Sequence, residues 1–276
     1  FWSLLIQGEA TNVLTEVGDL RTTNSEVDSS AADERLGIGA AGMVLKSNNP
    51  FDATLAAGTL PQWGSFGAIP KVYYVSVSNG LDVTTNGTTE GAPFKTIKYA
   101  CDYIQASLAA RAPATVFVKT GMYEEILPIS IPADVAVVGD ELRSTSVFPK
   151  AGYETSDMFY MRNGSGLRNM SLNGLSGTLG AINSYGTRRP TAGAFVSLDP
   201  GTGPADTSVH IVSKSPYVQN VSTFGTGCVG LKIDGSLHNG GYKSVVANDF
   251  TQVLTDGIGY WAKFNGVSEL VSVFTY

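Results

Sequence analysis

Between residues 115 and 174 the chain runs through six short segments: TVFVKTG (115–121), ILPISIP (126–132), DVAVVGD (134–140), TSVFP (145–149), DMFYMRNG (157–164) and LRNMSLNG (167–174). Apolar and polar residues alternate within each, Gly, Pro, Asp and Asn separate them, and no helical pattern intervenes, which is the signature of successive strands. Such a succession restricts the fold to a sandwich, a barrel or a β-solenoid. Composition agrees, because 15% charged residues and 32 glycines favour short strands and tight turns over long charged helices.

The later half selects the solenoid. GLKIDGS (230–236) recurs loosely as AKFNGVS (262–268), and VVANDF (245–250) as LVSVFTY (270–276), with offsets of about 31 and about 25 residues. Each turn of a solenoid stacks its strands about 4.8 Å from those of the turn before, and its inward residues build a continuous apolar column. An open column end exposes apolar surface and strand edges. A cover is available in FKTIKYACDYIQASLAA, where Phe94, Ile97, Cys101, Ile104 and Leu108 recur at spacings of 3, 4, 3 and 4 and define one apolar stripe. The expected architecture is therefore all-β: a parallel β-helix over residues 71–276 with a capping helix at about 94–109. The interval 178–216 is rich in turn residues and interrupts the repeat, as a binding loop on a solenoid does.

Residues 1–70 show little periodicity and carry eight acids against Arg21, Arg35 and Lys46, within a net charge of −6. They read as an extended attachment arm that needs a partner surface for order. GIGAAG (37–42) matches a dinucleotide-binding pattern in form, but the motif needs a buried strand before it, where Asp33, Glu34 and Arg35 stand, and no βαβ unit follows, so it reads as a turn. The acidic balance argues against nucleic acid, and no apolar run reaches the roughly 20 residues of a membrane helix. Cys101 and Cys228 lie far apart and read as buried free thiols. The chain starts without Met and stops within a strand-like run, so a longer protein is expected.

The phrases YYVSVSNGLD, APFKTIKYACDYI, TVFVKTGMYEE, ISIP, DVAVVGD and STSVFP, over about 72–174, resemble the first turns of right-handed parallel β-helix proteins of the pectin-lyase-like superfamily, most nearly pectin methylesterases. The resemblance implies the fold rather than the activity. The esterases' Gln-Ala-Val and Gln-Asp-Thr motifs are missing here, and NDFTQ (248–252) offers only Asp249-Phe250 against a third. The acidic arm followed by a Gly/Ser/Thr/Asn-rich β-helix also resembles large structural proteins of tailed bacteriophages, particularly T4-like cyanobacterial phages.

Glycoside hydrolysis needs two carboxylates about 5–5.5 or 6.5–9.5 Å apart, and alternate strand residues face opposite sides, so Glu124 and Glu125 do not pair by adjacency. Asp249, Asp256 and Glu125 remain the weak catalytic candidates, with Lys232 and Lys263 at equivalent stacked positions. His210 and His238 lie in unrelated contexts, which disfavours a metal cluster. Asn163, Asn169 and Asn220 are expected as asparagine contacts between coils. Arg188, Arg189, Tyr217, Tyr242 and Trp261 are candidate partner or glycan contacts. The phage resemblance implies a tail-fibre, tailspike or baseplate-associated virion protein. It would be held to other virion proteins through residues 1–70, homo-oligomeric (a trimer being one option), and able to meet a host-surface glycan, without cofactor, nucleic acid or membrane insertion. A polysaccharide depolymerase or esterase and a non-catalytic glycan-binding module are the alternatives.

Overall fold

Strand register, more than composition, fixes this molecule. The computed structural model describes residues 71–107, 113–182, 184, 188–203, 206–238 and 240–276, with four short backbone segments before residue 71. The chain divides into two units, Phe1–Ile69 and Pro70–Tyr276. In the first, the described backbone forms two antiparallel pairs, Leu20–Thr22 with Glu34–Leu36 and Met43–Lys46 with Gln62–Ser65. The GIGAAG turn and most of the predicted arm lie outside the described residues.

In the second unit all named strands pair in parallel and the chain visits three ladders in turn, which makes a parallel β-solenoid. The first ladder contains Lys71–Val75, Ala114–Val118, Val135–Gly139 and the opening residues of four long strands, Gly166–Ser176, Tyr217–Thr226, Ser244–Thr255 and Val267–Thr275. The remainder of those four strands continues the second ladder, which Gly121–Glu125 and Thr145–Pro149 begin. The third contains Ile129–Ser130, Phe159–Met161, Ala194–Leu198, Val229–Asp234 and Ile258–Lys263.

One inward column of the first ladder runs Tyr73, Val116, Val137, Leu167, Val218, Ala247 and Leu270 in successive register. All but Leu270 are buried, and each fully buried aliphatic side chain in such a column contributes about 1.5–3 kcal/mol. The second ladder's inward column runs Tyr123, Val147, Leu172, Thr223, Gln252 and Thr275. It therefore changes from apolar to polar along the axis. Gly230 and Gly259 make room for this change, since a Cβ on either would come within 2.4 Å of Gln252 Oε1 or Thr275 Oγ1 respectively.

Each long strand passes from the first ladder to the second through a residue with positive φ: Asn169 (55°), Asn220 (52°), Asp249 (50°) and Ser272 (52°). Asn and Asp tolerate this left-handed conformation better than other residues with a Cβ. Asn220 Nδ2 also donates to Asn169 Oδ1 at 3.1 Å, tying one bend to the next. Asn163 serves differently: its Oδ1 accepts from the backbone N–H groups of Val212, Ser213 and Lys214 and pins that excursion to the coil below.

The helix is Ile97–Ser107, shorter at its start than the stripe suggests, because Phe94 forms a buried bridge with Val75. Ile97, Ala100, Cys101 and Ile104 enter the core, and the helix contacts early strands of all three ladders. Leu108 lies outside the described residues.

Three sequence expectations change. Lys232 faces Trp261 rather than Lys263, and Val245 faces Ser268 rather than Leu270, so both repeats as read from the sequence are out of register by a short slip. Lys232 and Lys263 are consequently not stacked; Lys263 faces Asp234. The interval 178–216 is not one loop, because the buried strand Ala194–Leu198 runs through its middle.

The left-handed bends make a specific stability prediction. Asn220→Val places a β-branched side chain at positive φ and removes the bond to Asn169, and should lower stability by about 2–3 kcal/mol. Asn220→Gly should lose less, because glycine adopts the bend freely. Urea unfolding midpoints of the two variants measure the difference, and equal losses would refute the conformational account.

Candidate functional site

Two neighbourhoods gather charged and aromatic groups. The first lies where the second ladder meets the helix N-terminus. A cleft of about 790 Å³ is lined there by Lys95, Thr96, Met122, Glu124, Phe148 and Lys150, among others. Strand alternation sends Glu124 out into it and Glu125 inward, where Glu125 is 1% exposed. Glu125 Oε1 accepts from the Ile97 N–H at 2.6 Å and Oε2 from the Lys98 N–H at 3.1 Å. Asp82 accepts from the Lys95 and Thr96 N–H groups, and Thr96 Oγ1 from the Tyr99 N–H. Five amide donors around the helix start are thus met by side chains, and both carboxylates sit at the favourable end of the helix dipole. Burial raises the Glu125 carboxyl to about 7 against the opposing pull of the two amides. Its work is to hold the helix on the solenoid.

The second neighbourhood is the outer face of the third ladder, where Ser130, Tyr160, Ser197, Lys232 and Trp261 follow one another in register. Asp157 bridges to Lys232 and accepts from the Ala194 N–H. Arg162 Nε pairs with Asp199 at 2.7 Å, and Lys263 with Asp234 at 2.7 Å. Burial first, then the nearby Asp157 carboxylate, raises the Tyr160 phenol well above its ordinary value. Arg189, exposed on the excursion, lies 5.2 Å from the Trp261 ring centroid, and Lys263 lies 5.5 Å from the same ring. The contact of Arg189 with Trp261 joins positions far apart in the chain and gathers two of the sequence candidates.

The others disperse. Arg188 is exposed beside Arg189. Tyr217 sits in the first ladder beneath the Arg168 guanidinium at 5.6 Å. Tyr242 is exposed and its N–H donates to the Ile211 carbonyl. Asp249 occupies a left-handed bend, with Asn248 Nδ2 on its Oδ2 at 3.1 Å, and Asp256 a second left-handed turn at the far end of the same strand. The extended chain between them spans roughly 20 Å at the strand rise, beyond the reach of a paired-carboxylate mechanism.

His210 and His238, read as unrelated, are brought together with ring centroids 5.5 Å apart. Each ends a short 3₁₀ turn whose first residue is an aspartate accepting from a serine N–H: Asp206 from Ser208, and Asp234 from Ser236. The signal was present in the sequence as DTSVH (206–210) and DGSLH (234–238), a D-x-S-x-H phrase that returns after close to one coil.

The fold defines the class: this is a parallel β-solenoid protein, and among the described residues no helix is long and apolar enough to cross a membrane. Residues 78–178 match the sequence profile of a family described as a protein of unknown function, DUF1565, which is associated with right-handed β-helix proteins. Among solved structures the chain is similar to ORF18 of Geobacillus virus E2, at 11% identity and a TM-score of 0.34, over 74% of this chain and 42% of that one. The chain thus spans about two fifths of that protein's length. No curated protein matches.

Glu125 has a defined pH signature. Its carboxyl binds a proton more tightly in the folded protein (about 7) than at the ordinary value of 4.5, so its contribution is complete below about 4.5 and is lost as pH rises through about 7. By linkage the loss is at most about 3 kcal/mol. Melting curves between pH 4.5 and 8 should show this decline in the wild type and a flatter profile in Glu125→Gln. An unchanged slope would remove Glu125 as its source.

Proposed function

We propose that this chain is a structural protein of a tailed-phage particle, a tail-fibre, tailspike or baseplate-associated subunit. In this reading the solenoid is a rigid platform, the helix closes its first end, residues 1–70 attach it to other virion proteins, and copies of the chain associate, for example as a trimer. The observation that carries the reading is where the ionisable groups go. Asp82 and Glu125 hold a helix start, Asp157, Asp199 and Asp234 are tied to Lys232, Arg162 and Lys263, and Asp249 and Asp256 make bends. These groups serve the scaffold, as a part under mechanical stress requires.

The outer face of the third ladder is the proposed contact for a host-surface glycan. An aromatic ring flanked by two cations offers a stacking plane with hydrogen-bond donors at its edges. Mass spectrometry of purified particles, with antibody-gold labelling in electron micrographs, tests the assignment, and absence of the chain from particles would end it. Trp261→Ala should weaken binding to host polysaccharide by about tenfold or more if the ring contributes roughly 1.4 kcal/mol, with melting little altered. Titration of immobilised polysaccharide measures this.

A carbohydrate-active enzyme is the second reading, kept by one observation: the Glu125 carboxyl, raised to about 7, lies beside the cleft of about 790 Å³. Incubation with host capsular or pectic polysaccharide distinguishes the readings, since released oligosaccharide or methanol would favour turnover over attachment.

A further inference from the structure

His238 is fully buried and His210 is 5% exposed. Among the described residues neither ring nitrogen of His238 has a hydrogen-bond partner, and the Asp199 backbone carbonyl faces the ring without a bond of ordinary geometry. Among the described residues His210 Nε2 meets the Leu237 carbonyl, at 3.3 Å. Buried polar atoms are nearly always bonded, so a ring with two orphan nitrogens against a second imidazole is an exception that needs a reason. The pair lies where two excursions meet: the Tyr242 N–H donates to the Ile211 carbonyl, the Gly241 N–H to the His238 carbonyl, and the ring of His210 packs on Gly241.

We propose that the adjoining imidazoles of His210 and His238, tilted 40° to each other, are an acid-sensitive latch, which holds the turns at 206–210 and 234–238 against each other at neutral pH and releases them on acidification. The neutral rings pack as apolar groups. Protonation puts a charge into a site that cannot hydrate it, and a second proton sets two like charges about 5.5 Å apart. The charged groups facing the pair give little relief. Asp199 is held by Arg162, and Asp234 by Lys263 and by Ser236, so neither carboxylate is free to accept from a protonated ring. Burial, then His210, lowers the affinity of His238 for a proton. The latch is therefore complete above the ordinary histidine value of 6.5 and weakens as pH falls from there through the lower folded value. This inference stands apart from the virion assignment and survives its failure.

Amide hydrogen exchange, expressed as protection factors to remove the intrinsic pH effect, tests it between about pH 7.5 and about pH 5. The amides of His210, His238 and Tyr242 should lose up to about tenfold in protection for each pH unit by which burial depresses His238, while ladder amides such as Val218 and Val221 stay protected. His238→Phe, which keeps a flat ring without a titratable group, should abolish the loss. Equal protection at both pH values, or the same loss in the variant, overturns the proposal. If the variant does not fold, imidazole proton shifts of the wild type decide: displaced, mutually dependent titrations support the latch, and two independent titrations near 6.5 refute it.

Discussion

A parallel coil closes on itself only if the chain turns at the same point in each rung. In the four long strands that turn rests on one left-handed residue per rung, Asn169, Asn220, Asp249 and Ser272, at φ of 50° to 55°. Because the bends are superposed, the residues on either side stay in register: Leu167 over Val137 before the bend, and Met170, Val221, Phe250 and Val273 after it. A one-residue slip at any bend would turn a column inside out, since strand side chains alternate in direction. Apolar burial supplies the adhesion, but the bends decide which residues receive it. Asp249, a candidate acid when seen only as Asp-Phe, belongs to this series.

Stacking imposes a second constraint on the outside. Any outward side chain has neighbours about 4.8 Å above and below, so like charges in register would repel along the whole ladder. Among the described register partners of the solenoid the one charged pair is of opposite sign, Asp234 with Lys263. Lys232 lies between Ser197 and Trp261. Charges that must come close do so across excursions, as Arg162 with Asp199 and Lys214 with Asp134. The same rule explains why Arg189 finds Trp261: an aromatic face accepts a cation without requiring a counter-charge in the next coil.

The solenoid was legible in the sequence because its two causes are local. Alternation in segments such as DVAVVGD and turn residues between them name the strands, and the stripe Ile97, Cys101, Ile104 names the helix. Register was not legible. Coil lengths vary: the step from Gly166 to its partner Tyr217 is far longer than the steps from Ala136 to Gly166 and from Tyr217 to Val246, and loose phrase matches such as GLKIDGS with AKFNGVS do not fix a register to the residue. The strand Ala194–Leu198 was hidden because it is buried along its whole length and shows no alternation. At the candidate site, the meeting of Arg189 with Trp261 depends on how an excursion folds back, which no spacing encodes. The histidine pair was readable, since a short phrase repeated within about one coil length is a stacking signal even when its residues are loop-like.

One column of the interior changes character along the axis. Under the helix, Tyr123, Val147 and Leu172 fill the second ladder's column, and Tyr123 OH is tied to the Lys119 carbonyl at 2.6 Å. Further on the column is Thr223 and Gln252, with Thr223 Oγ1 buried and unpartnered and Gln252 relieved by the Thr275 hydroxyl. Apolar adhesion is thus replaced by polar contacts whose net contribution is near ~1 kcal/mol each and which cost more when unmade. The two histidine turns belong to these same coils. Outside that column Val218, Val221, Leu231, Ile233 and Phe250 keep the same coils buried, so an opening caused by protonation of His210 and His238 stays local to the two turns.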